Sequence, residues 1–153
     1  MVQRQTFDVF ADYHQFYLWD RGKTNQAPED YTDEDVRRRI KTGPYVVVIQ
    51  PERNTLISVV IEIHDADPEF DMAAWDHIAE ASLHLPTGQL QIHECTGGSV
   101  AELVVEPGWY RVRSLGGGFA TLSEREVRDH YLIVLWPAPP ADVRVVKQWL
   151  PPA

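Results

Sequence analysis

The sequence predicts a mainly β fold: a single-domain antiparallel β-sandwich of about eight or nine strands over residues 1–153, with one short helix near 33–41. Three observations predict it. Apolar and polar residues alternate with period two along most of the chain, as strands with one buried face require. Only one stretch combines helix start and stop signals. A length of 153 residues, 44% of them hydrophobic, suffices for one core without cross-links.

The first strand signal is the stretch TFDVFADYHQFYLWD. Within it Tyr13, Gln15, Tyr17 and Trp19 alternate with His14, Phe16, Leu18 and Asp20. Rings on both sides suit a strand covered on both faces, or one whose second face lies under the helix. His14 is then expected to be a core histidine bonded to a neighbour.

The helix signal follows. Thr32 caps, Asp35 completes a weaker form of the capping box, and Asp33, Glu34 and Asp35 occupy the first turn. Arg37, Arg38, Arg39 and Lys41 suit the negative end of the helix dipole, Val36 and Ile40 share a face, and Gly43-Pro44 stops it. The arginine run reads as a solvated helix face rather than a nucleic-acid contact.

Strand signals fill the remainder. YVVVIQ (45–50) is rich in β-branched residues, and TLISVVIEIH (55–64) places Ile57, Val59, Ile61 and Ile63 on one face. Residues 77–95 read as a hairpin with Pro86, Thr87 and Gly88 at its tip, pairing Leu85 with Leu90 and Leu83 with Ile92. A strand, a Pro-Gly turn at 107–108 and another strand come next. SEREVRD (123–129) suggests a short helical turn, HYLIVLW (130–136) a central strand, PAPP (137–140) a loop and DVRVVKQWL (142–150) a final alternating strand.

The net charge of −9 is unevenly placed. Residues 1–43 carry seven Lys or Arg and eight Asp or Glu; residues 44–108 carry Arg53 against eleven carboxylates; residues 109–153 carry six bases and four acids. Such a field repels nucleic acid and draws a basic partner, so a protein partner and no direct nucleic-acid binding are expected. The middle carboxylates are expected to gather on one outward surface. No apolar run reaches the roughly 20 residues of a membrane span. The start of the chain lacks the apolar core of a signal peptide, so a cytoplasmic location is expected. Pairing of two copies into a homo-oligomer through an edge strand stays open.

No nucleophile–base pair or Gx-Ser-xG elbow is recognisable, and the expectation is a non-enzymatic protein without a cofactor. Cys95, the single cysteine, reads as a small buried hydrophobe in a strand rather than a nucleophile. In the hairpin register above, His84 and His93 become diagonal neighbours about 7 Å apart. Those two, with His77, are the candidates for a metal site, although no established metal-ligand spacing is present. LGGGF (115–119) reads as a turn or bulge rather than a phosphate cradle. HDADPEFDMAAWD (64–76) holds five carboxylates and no base; its acidic spacing lacks the glycine and terminal glutamate of a calcium loop. As a contact surface it would offer Asp65, Asp67, Glu69, Asp71 and Asp76 for electrostatic attraction, with Phe70 and Trp75 as apolar anchors.

YHQFYLWD, then EDYTDEDVRRRI, then PERNT before a long alternating strand, resemble the competence protein J family in order and approximate spacing over residues 13–64. The later VEPGWYRVRSL is similar in pattern more than in residues. The resemblance implies a bacterial protein, intracellular or envelope-associated, that binds and silences a DNA-entry nuclease. Carboxylates that compete for a basic nuclease groove agree with it. Two alternatives remain at this point: a metal-binding enzyme built on a histidine cluster, and a carbohydrate- or peptide-binding module that uses exposed tryptophans.

Overall fold

Period-two alternation becomes eleven strands in the computed structural model, which describes residues 2–23 and 26–152. In chain order these are β1 (Gln3–Phe10), β2 (Phe16–Asp20), β3 (Ile40–Gly43), β4 (Val46–Ile49), β5 (Leu56–Ile63) and β6 (His77–Leu85). They continue with β7 (Gln89–Glu94), β8 (Ser99–Val104), β9 (Gly108–Gly117), β10 (His130–Pro137) and β11 (Arg144–Lys147). One helix, α1, spans Asp33–Arg38. A six-stranded sheet has the order β1-β5-β10-β9-β6-β11, and a five-stranded sheet the order β3-β4-β2-β7-β8.

The sheets face each other across one main core, so the sandwich expectation holds. Ile57, Val59, Ile61 and Ile63 of β5 enter this core as their alternation requires, beside Ile133 and Leu135 of β10 and Val112 of β9. From the opposite sheet come Phe16, Leu18, Ile49, Leu90 and Ile92. Each sheet also has a covered outer face. Ile78, Leu115, Val134 and Trp136 form one outer cluster, on the larger sheet; Tyr17, Val46 and Val48 form the other, packed with Ala27 and Tyr31. The aromatic strand β2 is therefore buried on both faces, which is why rings appear at both parities. Among the described residues no helix is long and apolar enough to cross a membrane.

Several expectations need correction. The sandwich has more strands than eight or nine, and it is not wholly antiparallel: β10 lies parallel to β5, with Tyr131 opposite Val59 and Leu135 opposite Ile63. The helix stops at Arg38 instead of reaching Lys41. Thr32 and Asp35 do form the capping box, at 3.1 Å for Asp35 N to Thr32 Oγ1 and 2.9 Å for Thr32 N to Asp35 Oδ2. But Arg39 turns left-handed (φ 60°), and Ile40–Gly43 becomes β3 against β4. Val36 is 57% exposed, so a longer helix would gain no buried stripe, whereas Ile40 in β3 reaches the core.

Residues 77–95 are not a hairpin. β6 pairs with β9 and β11, and β7 with β2 and β8, in the other sheet. The turn at Pro86–Gly88 carries the chain across the sandwich. Leu83, Leu85, Leu90 and Ile92 do share a core, but from opposite layers. Gly88 adopts φ 70°, a conformation suited to glycine, and buried Asp20 at the end of β2 accepts from Thr87 N at 2.8 Å and Gly22 N at 2.7 Å.

His14 is exposed rather than buried. It sits with Tyr13 in a short 3₁₀ turn, both at φ 57°, where the chain leaves β1 in one sheet for β2 in the other. Residues 123–129 form no helix; Thr121 Oγ1 instead accepts Arg128 N at 2.8 Å and closes an irregular loop. The glycine run ends β9 in a turn as expected, with Gly118 at φ 74°.

Candidate functional site

Residues 64–76 lie against the outer face of the six-stranded sheet, and a buried charge cluster holds them there. Along β9, Tyr110 and Val112 face the core, so Arg111 and Arg113 face outward. Glu80 of β6 lies opposite Arg113 in the ladder. Arg113 Nε donates to Glu80 Oε2 at 2.9 Å, and Arg111 Nε lies 3.5 Å from Glu80 Oε1. Arg111 also donates to Ser82 Oγ at 3.0 Å and to the carbonyls of Ala141 and Asp142 at 3.0 and 2.7 Å. It thereby ties down the loop that leads to β11.

Arg113 does the same for the acidic segment. Its Nη2 donates to Asp67 Oδ1 at 2.8 Å and its Nη1 to the Pro68 carbonyl at 3.3 Å. The guanidinium sits between two rings, 4.2 Å from the Phe70 centroid and 4.5 Å from that of Trp136. Buried charges persist when paired and hydrogen-bonded, and here both conditions are met.

The seven contact residues expected from the sequence consequently divide. Asp65, Glu69 and Asp71 are exposed. Asp71 also caps the 3₁₀ turn at Met72–Ala74 by accepting Ala73 N at 3.0 Å. Asp67 is exposed as well but engaged by Arg113. Phe70 and Trp75 are partly buried against the outer cluster, Trp75 also meeting the His130 ring at 5.4 Å. Asp76 accepts Phe119 N at 2.8 Å and so fixes the end of β9. Met72, 45% exposed, is the apolar side chain the loop presents to solvent, and the sequence reading passed over it. Lys147 Nζ donates to its carbonyl at 3.0 Å.

The eleven carboxylates of residues 44–108 do not gather on one surface. Glu52 pairs with Arg39 at 2.8 Å, Glu62 with Arg4 at 3.8 Å, and Glu102 with Arg21 at 3.6 Å; Asp67 and Glu80 pair as described. Arginines from the two flanking thirds thus neutralise much of the middle excess. Arg53 crosses the other way, to buried Asp129 at 2.8 Å.

The three candidate histidines are separated, because the hairpin that would have joined them does not exist. His84 stacks on Trp109 with centroids 4.4 Å apart. His93, in the other sheet, lies 4.7 Å from Trp19. His77 is buried: its Nδ1 accepts Trp149 N at 3.1 Å and its Nε2 donates to the Arg38 carbonyl at 2.8 Å. Burial lowers its pKa to about 4. Among the described residues no three His, Cys, Asp or Glu side chains are placed to hold a metal ion.

By sequence the chain matches no protein-family profile and no curated protein. Solved structures do match. ComJ from Bacillus subtilis, an inhibitor of the DNA-degrading activity of NucA, is 16% identical with a TM-score of 0.69. The match covers 89% of this chain and 96% of that one. The product of crocagin biosynthetic gene J is 20% identical with a TM-score of 0.60, over 90% of this chain and all of its own. At these identities the likeness is one of architecture: the chain has a ComJ-like fold.

Proposed function

We propose that this chain is a non-enzymatic protein that binds and inhibits a nuclease or a similarly basic protein. The observation that carries the reading is the fold it shares, over most of both chains, with a protein described as a nuclease inhibitor. The acidic loop is the contact surface in this proposal. Asp65, Glu69 and Asp71 supply charge, Met72 supplies apolar area, and Asp67, Phe70, Trp75 and Asp76 hold the loop in shape. A pre-shaped loop loses little conformational entropy on binding, and exposed carboxylates speed the encounter with a basic groove.

A DNA-degradation assay tests this, using the nuclease encoded nearest to the protein's own gene. Inhibition at near-stoichiometric protein is the expected result. Undiminished digestion at about 10 μM protein, far above a typical inhibitor's binding constant, counts against the reading.

A further inference from the structure

On the opposite face of the sandwich, outside β2 and β7, lies a concavity of about 480 Å³. That is within the usual size of ligand pockets, roughly 300–1,000 Å³. Tyr17 and Trp19 stack along its floor with centroids 5.4 Å apart, and His93 adjoins Trp19. The segment ahead of α1 forms the wall with Glu29 and Tyr31.

The aromatic donors of this pocket are turned to protein acceptors. Both phenols point at Gln15 Oε1, Tyr17 at 2.9 Å and Tyr31 at 3.1 Å, and the Tyr17 hydroxyl also lies 3.1 Å from Cys95 Sγ. The Trp19 indole N–H donates to Gln91 Oε1 at 2.7 Å. His93 Nδ1 lies 2.7 Å from the Glu94 carbonyl, so that nitrogen carries a proton and donates it to the backbone. With the ring donors spent on protein acceptors, the partly exposed Trp19 and Tyr31 rings and the Glu29 carboxylate are left for a visitor, over buried Tyr17 and beside the Gln26 amide. Among the described residues no lysine or arginine lines the pocket. Lys41, 5.2 Å from the Tyr31 ring, is paired with Asp35 at 2.7 Å. Burial, then the Cys95 thiol and the carboxylates of Asp35 and Asp30, push the Tyr31 phenol up to about 12.

A planar, donor-rich cation answers every one of these features, since a guanidinium stacks on rings and carries five N–H donors without an acceptor. The molecule already treats its own arginines in this way: Arg113 lies between Phe70 and Trp136, and Arg39 lies 5.2 Å from the Trp149 centroid. We propose that the Tyr17–Trp19–Tyr31–Glu29 pocket receives the guanidinium of an arginine side chain borne by a peptide or protein segment. The site is independent of the acidic loop.

The test is a titration of the ¹⁵N-labelled full chain with acetyl-Gly-Arg-Gly-amide, read at the Trp19 indole N–H resonance and assigned with Trp19→Phe. A saturable shift with a millimolar midpoint is expected, as fits one cation–π and carboxylate contact. Glu29→Gln, at an exposed position, should raise that midpoint at least about threefold, in line with losing one exposed charge contact. The citrulline peptide, planar but uncharged, should not saturate. The proposal is overturned by equal responses to arginine and citrulline, by no saturable shift up to about 20 mM, or by an unchanged midpoint in Glu29→Gln. None of those results touches the nuclease assay above, and a failed nuclease assay does not touch this one.

Discussion

Arg113 Nη2 donates to Asp67 Oδ1 at 2.8 Å although Asp67 is itself 57% exposed, so one carboxylate of the acidic loop belongs to its support. Asp67 and its neighbours Asp65, Glu69 and Asp71 should therefore behave differently when changed.

Replacing Asp65, Glu69 and Asp71 together by their amides should slow association with a basic nuclease about tenfold at low salt, the usual size of a steering effect. The difference should vanish near roughly 0.5 M salt, where screening is short-ranged. Asp67→Asn should instead raise the dissociation rate, because the loop loses its tether. Surface plasmon resonance at two ionic strengths separates the two effects. Equal behaviour of all four positions would remove the division drawn here.

Arg113→Ala should cost about 3–5 kcal/mol, the penalty for leaving one member of a buried ionic cluster unpaired. The guanidinium is 5% exposed and serves Glu80, Asp67 and the Pro68 carbonyl at once. Arg113→Lys keeps the charge but loses the stack and the fork, and should fall between. Urea denaturation gives both values. A cost for Arg113→Ala below about 1 kcal/mol, the worth of a surface pair, would show that the cluster holds nothing in place.

Stability should fall between pH 6.5 and pH 4 through His77. The folded chain keeps this ring unprotonated down to about pH 4, whereas the unfolded chain protonates it near its ordinary value of 6.5. The unfolded state thus binds more protons in that window, so the contribution is complete above pH 6.5 and drains away as acid is added. The full loss is about 3 kcal/mol, and His77→Gln should flatten the slope by nearly one proton. Denaturation midpoints at pH 7, 6 and 5 for both proteins decide it; parallel slopes would contradict the buried-neutral assignment.

Asp20→Ala should destabilise by about 1.5–3 kcal/mol, because it removes the buried carboxylate that accepts the Gly22 and Thr87 amides. Asp20→Asn keeps an acceptor and should cost about half as much. Hydrogen exchange at Thr87 and Gly88 should quicken in Asp20→Ala. Unaltered exchange there would mean the crossing turn stands without Asp20.

The faces of strands were readable from the sequence, but their partners were not. The alternation in residues 55–64 identified every core side chain of β5, and the Thr32–Asp35 spacing identified the helix cap. Leu83, Leu85, Leu90 and Ile92 show the limit. They would share one face in a hairpin, and they equally meet across two sheets, so periodicity fits both arrangements. The histidine grouping failed with that hairpin. The charge count failed for a related reason: a total says nothing of which arginine folds back onto which carboxylate. Arg111 and Arg113 left a clue, since two cations at alternate positions of a strand must find anions once that face is covered. His14 was misplaced because residues 11–15 change sheets there instead of extending a strand.

The position of β10, parallel to β5 on one side and antiparallel to β9 on the other, constrains the order in which the molecule can assemble. Until residues 130–137 are available, the β1-β5 ribbon and the β9-β6 ribbon have no strand to join them. Each half keeps an unpaired, largely apolar margin until residues 130–137 emerge. Nascent chains arrested before that point should engage chaperones, and release should coincide with the arrival of this keystone segment.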